Sequence, residues 1–183
     1  MEIGIISIVI AIIIALIPYI RNRYFLGPEL TIEIIPDGGM SSPRGLSSKN
    51  KVNAEGYIDG NNAIRIFELT WRFKLIIRNN SDNTAYYPKI HFISSKQKFT
   101  RIDRLNELKP LTNIENIELQ AEYSKFEQCQ GNDRTKTTGI PKELEDLKIL
   151  IESKNGRKMK FFTLYCIEKN QNKFIRKKPK EFK

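Results

Sequence analysis

Reactive side chains are scarce in this chain, which has one histidine, His91, and two cysteines, Cys129 and Cys166. Any Ser-His-Asp or Cys-His arrangement would have to run through His91. That residue follows Ile90 and precedes Phe92 in an alternating stretch, so it points to the face opposite both. This is the setting of a structural or surface histidine. One histidine and two distant cysteines do not supply the ligand set of an ordinary zinc site. No glycine-rich loop of the P-loop or dinucleotide type is present. Glu143, Glu145 and Asp146 fall together on a polar stretch that reads as a solvated turn. The expectation is a protein that is not an enzyme, with no cofactor, no metal and no catalytic residue.

Binding chemistry is better represented. Tyr86, Tyr87 and Lys89 lie together, just after the polar run Asn79-Asn80-Ser81-Asp82-Asn83. Aromatic rings beside amides and cations suit a protein interface at a strand edge. They also suit stacking on a nucleotide-like anion. Asn79, Asn80, Asp82, Tyr86, Tyr87 and Lys89 are therefore the candidate binding residues, with the polar loop 128–138 as a further contact surface. Trp71 alternates with charged neighbours and is expected to be a core anchor.

The elements that would carry these residues begin with Ile3–Ile20, about 18 residues without a charge, enough for a helix of roughly 27 Å. Apolar residues fill every side of it, so such a helix has no face for water. Met1-Glu2 gives no basic start, and Pro18-Tyr19-Ile20-Arg21 offers no small-x-small cleavage site. The expectation is an uncleaved single-pass anchor over 1–24, with Ile3, Ile10 and Leu16 in lipid. Tyr19 would sit at the interface and Arg21 and Arg23 just beyond it. Nothing basic precedes the run, so the positive-inside rule places the following domain in the cytoplasm.

The formal net charge is +10, and half of the surplus lies after Gln171. Arg176, Lys177, Lys178 and Lys180 define a basic tail over 176–183, expected to be solvated or to touch anionic lipid. Nucleic acid is a less favoured partner.

Between anchor and tail the chain reads as strands. Trp71, Phe73, Leu75 and Ile77 alternate with Arg72, Lys74 and Arg78, which is period two with one buried face. Leu30–Ile35 is a short strand that ends at Pro36-Asp37-Gly38-Gly39, followed by a mobile loop over 36–62. Ala85–Ile93 returns as a strand carrying Pro88, which puts it at an edge or at a bulge. Ile117–Tyr123, then Leu147–Ile151 and Lys158–Ile167 around Asn155-Gly156, complete the pattern. The Asn-Gly pair predicts a two-residue type I′ turn. The fold class is mainly β: an antiparallel sandwich of about seven strands over 25–175.

Three stretches in this order, Trp71–Ile93 with its Asn-rich turn, Leu108-Lys109-Pro110 leading into a strand, and the Leu147–Ile167 hairpin, resemble the immunoglobulin-like β-sandwiches of bacterial envelope and single-pass membrane proteins. The resemblance implies an Ig-like domain on a membrane helix. The functional expectation is a non-enzymatic membrane-tethered domain that binds a protein partner, with a homo-oligomer as one form of partner. The alternative is a membrane-anchored sensor or effector, of the kind found in bacterial antiviral defence, whose β-domain binds a small anionic ligand.

Overall fold

The computed structural model describes residues 2–20, 26–60, 62–93, 97–105 and 108–182. One α-helix, α1 (Glu2–Ile20), precedes eight strands among the described residues: β1 (Leu30–Leu46), β2 (Ile64–Asn79), β3 (Tyr86–Ile93), β4 (Arg101–Ile102), β5 (Asn116–Gln130), β6 (Lys148–Lys154), β7 (Lys160–Cys166) and β8 (Gln171–Ile175). They form two antiparallel sheets, in the orders β1-β2-β5-β4 and β3-β6-β7-β8.

The described side chains of α1 are exposed, with Ile10, Leu16 and Tyr19 at 51%, 45% and 52%. They cover Ile6 and positions 8–20; the side chain of Ile3, together with Arg21 and Arg23, lies outside the described residues. Among the described residues no helix is long and apolar enough to cross a membrane.

The core lies where the sheets face each other. Trp71, Phe73, Leu75 and Ile77 of β2 are all buried, as their alternation predicts. They meet Ile32 of β1, Leu119 and Ala121 of β5, and Ile149, Ile151 and Tyr165 of the second sheet. His91 sits on the outer face, away from Ile90 and Phe92, which pack against this core.

The first sheet overhangs the second. β1, β2 and β5 run for 17, 16 and 15 residues, against 8, 7, 7 and 5 in the other sheet. An overhanging strand face would leave Phe67 and Leu69 in water. Instead the segment 131–142 crosses beneath it, with the Arg134 guanidinium 5.0 Å from the Phe67 ring, and both residues are buried. Thr135 fixes that segment by donating from its N–H and its hydroxyl to Glu127, each at 2.7 Å.

Several sequence expectations are corrected here. β1 does not stop at Pro36: it continues to Leu46 across a register shift between Pro36 and Gly39, so 36–46 is strand and the loop spans 47–63. Gly38, at φ +84°, takes up the irregularity, and the long partner β2 holds the continuing strand in register. β5 likewise runs to Gln130, inside the stretch expected as loop.

The 155–158 turn keeps Asn155 as its organiser but is not type I′. Lys158 N–H bonds Asn155 O and Asn155 N–H bonds Met159 O, while the left-handed residue is Lys158 at φ 63°. That is a type I turn followed by a bulge residue. Pro88 sits in a register shift of β3, which is also a sheet edge.

The C-terminal segment is not a free tail. A 3₁₀ turn, Lys180–Phe182, folds over the outer face of the second sheet and buries Phe182 against Leu150 and Phe162. Lys148 Nζ bonds Glu181 at 3.1 Å. A single phenylalanine is enough to dock a segment whose charges alone read as solvated, although Arg176, Lys177, Lys178 and Lys180 remain exposed.

Under this strap lies a charged cluster. Lys160 Nζ contacts Glu152 at 2.7 Å, and His91 Nε2 lies 3.7 Å from the same carboxylate. Burial pushes His91 below its ordinary value of 6.5, and the charges of Lys178 in the strap and Lys89 on its own strand add to this, against Glu152. Burial acts to raise the Glu152 carboxyl, but the Lys160 bond and charge, with His91 and Lys178, outweigh it and hold it down. In the folded state His91 resists protonation that the unfolded chain accepts. Stability is therefore full above about pH 6.5 and falls as pH drops below it; Glu152 adds a second loss below about 4.5. Thermal unfolding from pH 7.5 to 5.5 is expected to show the first loss, and His91→Gln to remove most of it. An unchanged slope in that variant would rule His91 out as the cause.

Candidate partner-binding surface

One end of the sandwich gathers four parts of the chain: the lead-in 26–29, the β2–β3 connection, the β4–β5 connection and the β6–β7 turn. Register brings them together. Leu30, the first residue of β1, pairs with Asn79, the last of β2, and Lys160, the first of β7, pairs with Lys154, the last of β6.

The β2–β3 connection is built around Asn79. Its Nδ2 donates to Asn83 O at 2.8 Å and to Leu111 O at 3.0 Å. Its Oδ1 accepts from Ser81 N–H at 3.2 Å and from the Ser81 hydroxyl at 2.9 Å. Asn79 is fully buried, which corrects its assignment as a contact residue: it shapes the loop from inside. The loop is also tied sideways. Asn80 N–H donates to Glu29 O at 3.0 Å, and Asn80 Nδ2 donates to Thr31 Oγ1 at 3.1 Å. Asn113 Nδ2 reaches Asp82 Oδ1 at 3.0 Å. Across from it, Asn155 Oδ1 accepts from the N–H groups of Arg157 and Met159, both at 3.0 Å.

Between these loops lies a groove of about 570 Å³, lined by Asn80, Ser81, Asp82, Asn155, Gly156 and Arg157 among others. Tyr86 borders it, with Cε2 3.9 Å from where a Cβ on Gly156 would stand. Tyr87 follows, its ring 6.4 Å from that of Tyr86 and 67% exposed. Lys154 Nζ lies 5.9 Å from the Tyr87 ring centre.

Tyr87 has φ 52°, a left-handed conformation costly for a side chain of this size. The register shift between Tyr86 and Lys89 imposes it, and Pro88, which cannot donate to the ladder, fits that irregular position.

The structure thus brings Asn80 and Asp82 together in one groove, with Tyr86 at its border and Tyr87 beside Tyr86. It does not bring Lys89 there: that residue pairs in register with Glu152 in the second sheet, beside the His91 cluster. Glu29, Asn155 and Arg157 are site residues the sequence did not single out. The Asn155-Gly156 pair was visible only as a turn.

Both cysteines are free. Among the described residues no group of three or more His, Cys, Asp or Glu side chains is arranged to hold a metal. No family model matches the chain, no curated protein matches its sequence, and no solved structure matches its fold.

Proposed function

We propose that this chain is a non-enzymatic, single-pass membrane protein whose Ig-like domain binds a protein partner through the 80–87 and 155–157 end of the sandwich. The observation that carries the reading is Tyr87, held exposed and in a left-handed backbone beside Tyr86, the residue that borders the polar groove at Gly156. The composition around it, Asn, Ser, Gly, Tyr and Arg, is that of adaptable protein-binding loops. Aromatic and arginine side chains on such a rim are the residue types that most often dominate binding energy.

The Ig-like part of the reading is supported by strand order. Constant-type Ig domains place their first, second, fifth and fourth strands in one sheet and their third, sixth and seventh in the other. The orders here match that plan, with β8 added beside β7. The usual inter-sheet disulfide is missing, and the buried tryptophan stands on the second strand rather than the third. The membrane part rests on the uncharged run Ile3–Ile20 of the sequence, since the described part of α1 is by itself not long and apolar enough to cross; its described isoleucines and leucines are exposed, a surface that lipid would cover. The domain begins at the groove end, where Leu26, Gly27 and Glu29 line the groove ahead of β1. Arg21 and Arg23 after the apolar run favour a cytoplasmic domain.

Tyr87→Gly separates binding from folding. Glycine relieves the left-handed strain, at some cost in chain entropy, so stability is expected to stay level or rise by up to about 1 kcal/mol. Partner recovery in a mild-detergent pull-down of the full-length protein is expected to fall at least tenfold. A variant that is stable and still recovers the same partner in full would refute the proposed site.

A further inference from the structure

We infer a second binding site, at the opposite end of the sandwich, for a small soluble polyanion of the phosphate class. The site is a groove of about 510 Å³ between residues 39–41 of β1 and the segment 132–138. That volume suits a ligand of nucleotide size.

Its electrostatics are one-sided. Arg134 and Lys136 line it, and no carboxylate does. Several cations elsewhere on the same sheet are matched, Arg44 with Glu68, Arg72 with Glu122 at 3.2 Å, Lys74 with Glu118 at 3.6 Å, and Lys125 with Glu143 at 2.7 Å, although Arg65 is held by Asn132 Oδ1 and Gly60 O rather than by an acid. Arg134 and Lys136 have no ion-pair partner of this kind among the described residues. Arg134 makes one long bond, 3.4 Å, to Asn132 O, and its guanidinium lies 5.0 Å from the Phe67 ring. Glu127, which could have served them, is instead occupied by Thr135 and by Lys125 at 3.6 Å. It holds the segment in place without neutralising it. Asp133, the remaining acid of the segment, does not line the groove.

The floor adds a second, independent feature. Ser41 is one of the lining residues, and its Oγ, sealed behind the groove wall, has no hydrogen-bond partner. An orphaned buried hydroxyl carries a desolvation cost that an acceptor oxygen in the groove would remove. Gly39 lets the segment close down: a Cβ there would stand 2.6 Å from the carbonyl oxygens of Thr137 and Thr70. A planar guanidinium, an ammonium, threonine hydroxyls and a free serine hydroxyl form a donor set for phosphoryl oxygens. This site is separate from the partner surface, and only the choice of ligand source rests on the membrane-anchored reading.

Two sources could present such an anion: a free phosphorylated metabolite or a lipid headgroup. The register places Gly39–Ser41 past the middle of β1, roughly 30–36 Å along the strand from Leu30 at 3.3 Å per residue, which for an anchored domain favours the free molecule. The test uses full-length protein in neutral detergent, titrated with inorganic tripolyphosphate and followed by the thermal midpoint and amide chemical shifts. In parallel, reconstituted protein is scored for binding to vesicles of phosphatidylglycerol. The expected result is saturable binding, with shifts centred on Ser41 and Arg134–Thr138. Lys136→Glu and Ser41→Ala should each weaken it at least fivefold, while Lys158→Glu, an equal charge change at the other end, should leave it unaltered. Loss of stability in Lys136→Glu is not expected, because that side chain supports no described contact. Absence of saturation, equal weakening by Lys158→Glu, or binding to vesicles but not to tripolyphosphate would each overturn the inference.

Discussion

Trp71→Ala is expected to cost about 3–5 kcal/mol of folding stability, the range for emptying a fully buried tryptophan site. Trp71 is 1% exposed, its ring 5.6 Å from that of Tyr123, with Lys125 Nζ 5.5 Å from the indole centre. It stands where the second sheet ends and the segment 131–142 takes over as cover, so its loss opens the core and loosens that cover together. Chemical denaturation checks this, with Trp71→Phe expected to fall between the two. A ligand-stacking tryptophan would behave differently, losing binding with little change in stability. A loss below about 1 kcal/mol would therefore overturn its role as the junction of sandwich and overhang.

Asn79→Ala is expected to cost about 3 kcal/mol, an unusual loss for a residue in a turn sequence. The side chain satisfies both directions of an amide at once, donating to two carbonyls and accepting from Ser81. Alanine leaves Ser81 N–H without its acceptor and removes the link from β2 to Leu111. The groove formed by Asn80, Ser81 and Asp82 loses its support, so partner binding should fall as well. Asn79→Asp discriminates the cause. It keeps the acceptor for Ser81 but places a buried carboxylate against two carbonyl oxygens, so it should be at least as destabilising as alanine. Were Asn79 a contact residue at the surface, both variants would fold normally and differ only in binding.

Much of the fold was legible from side-chain alternation. The face of β2 that carries Trp71, Phe73, Leu75 and Ile77 could be assigned because its inward and outward residues differ sharply in polarity. The polarity of β1 is weaker beyond Pro36. There Pro36-Asp37-Gly38-Gly39 has turn chemistry, and only the long-range pairing of 39–46 with 65–71 makes it a bulged strand. Sequence proximity carries no trace of that pairing. The same limit explains the strap: in a run of lysines, the weight of Phe182 depends on an apolar patch formed by four strands of the other sheet, including Leu150 and Phe162.

The site was legible in part. The Asn-rich run and the tyrosines after it were visible as binding chemistry, and they do converge. The inward asparagine was missed because the strand was expected to end at Arg78; β2 runs one residue further, and the parity of Trp71, Phe73, Leu75 and Ile77 then turns Asn79 inward. Arg157 joins the groove through a hairpin more than seventy residues away in sequence. The uncompensated charge of Arg134 and Lys136 was hidden for a related reason. Acids are near in sequence, and only the fold assigns Glu127 to Thr135.

The most direct measurement is photocrosslinking in intact cells, with a benzophenone amino acid at position 87 in one sample and at position 126 in another. Phe126 is equally exposed, at 69%, but lies on the far overhang. A discrete protein adduct in the membrane fraction from position 87, and none from position 126, is the predicted result. No adduct from position 87, or the same adduct from both positions, would contradict the proposal that this end of the domain is the partner-binding surface.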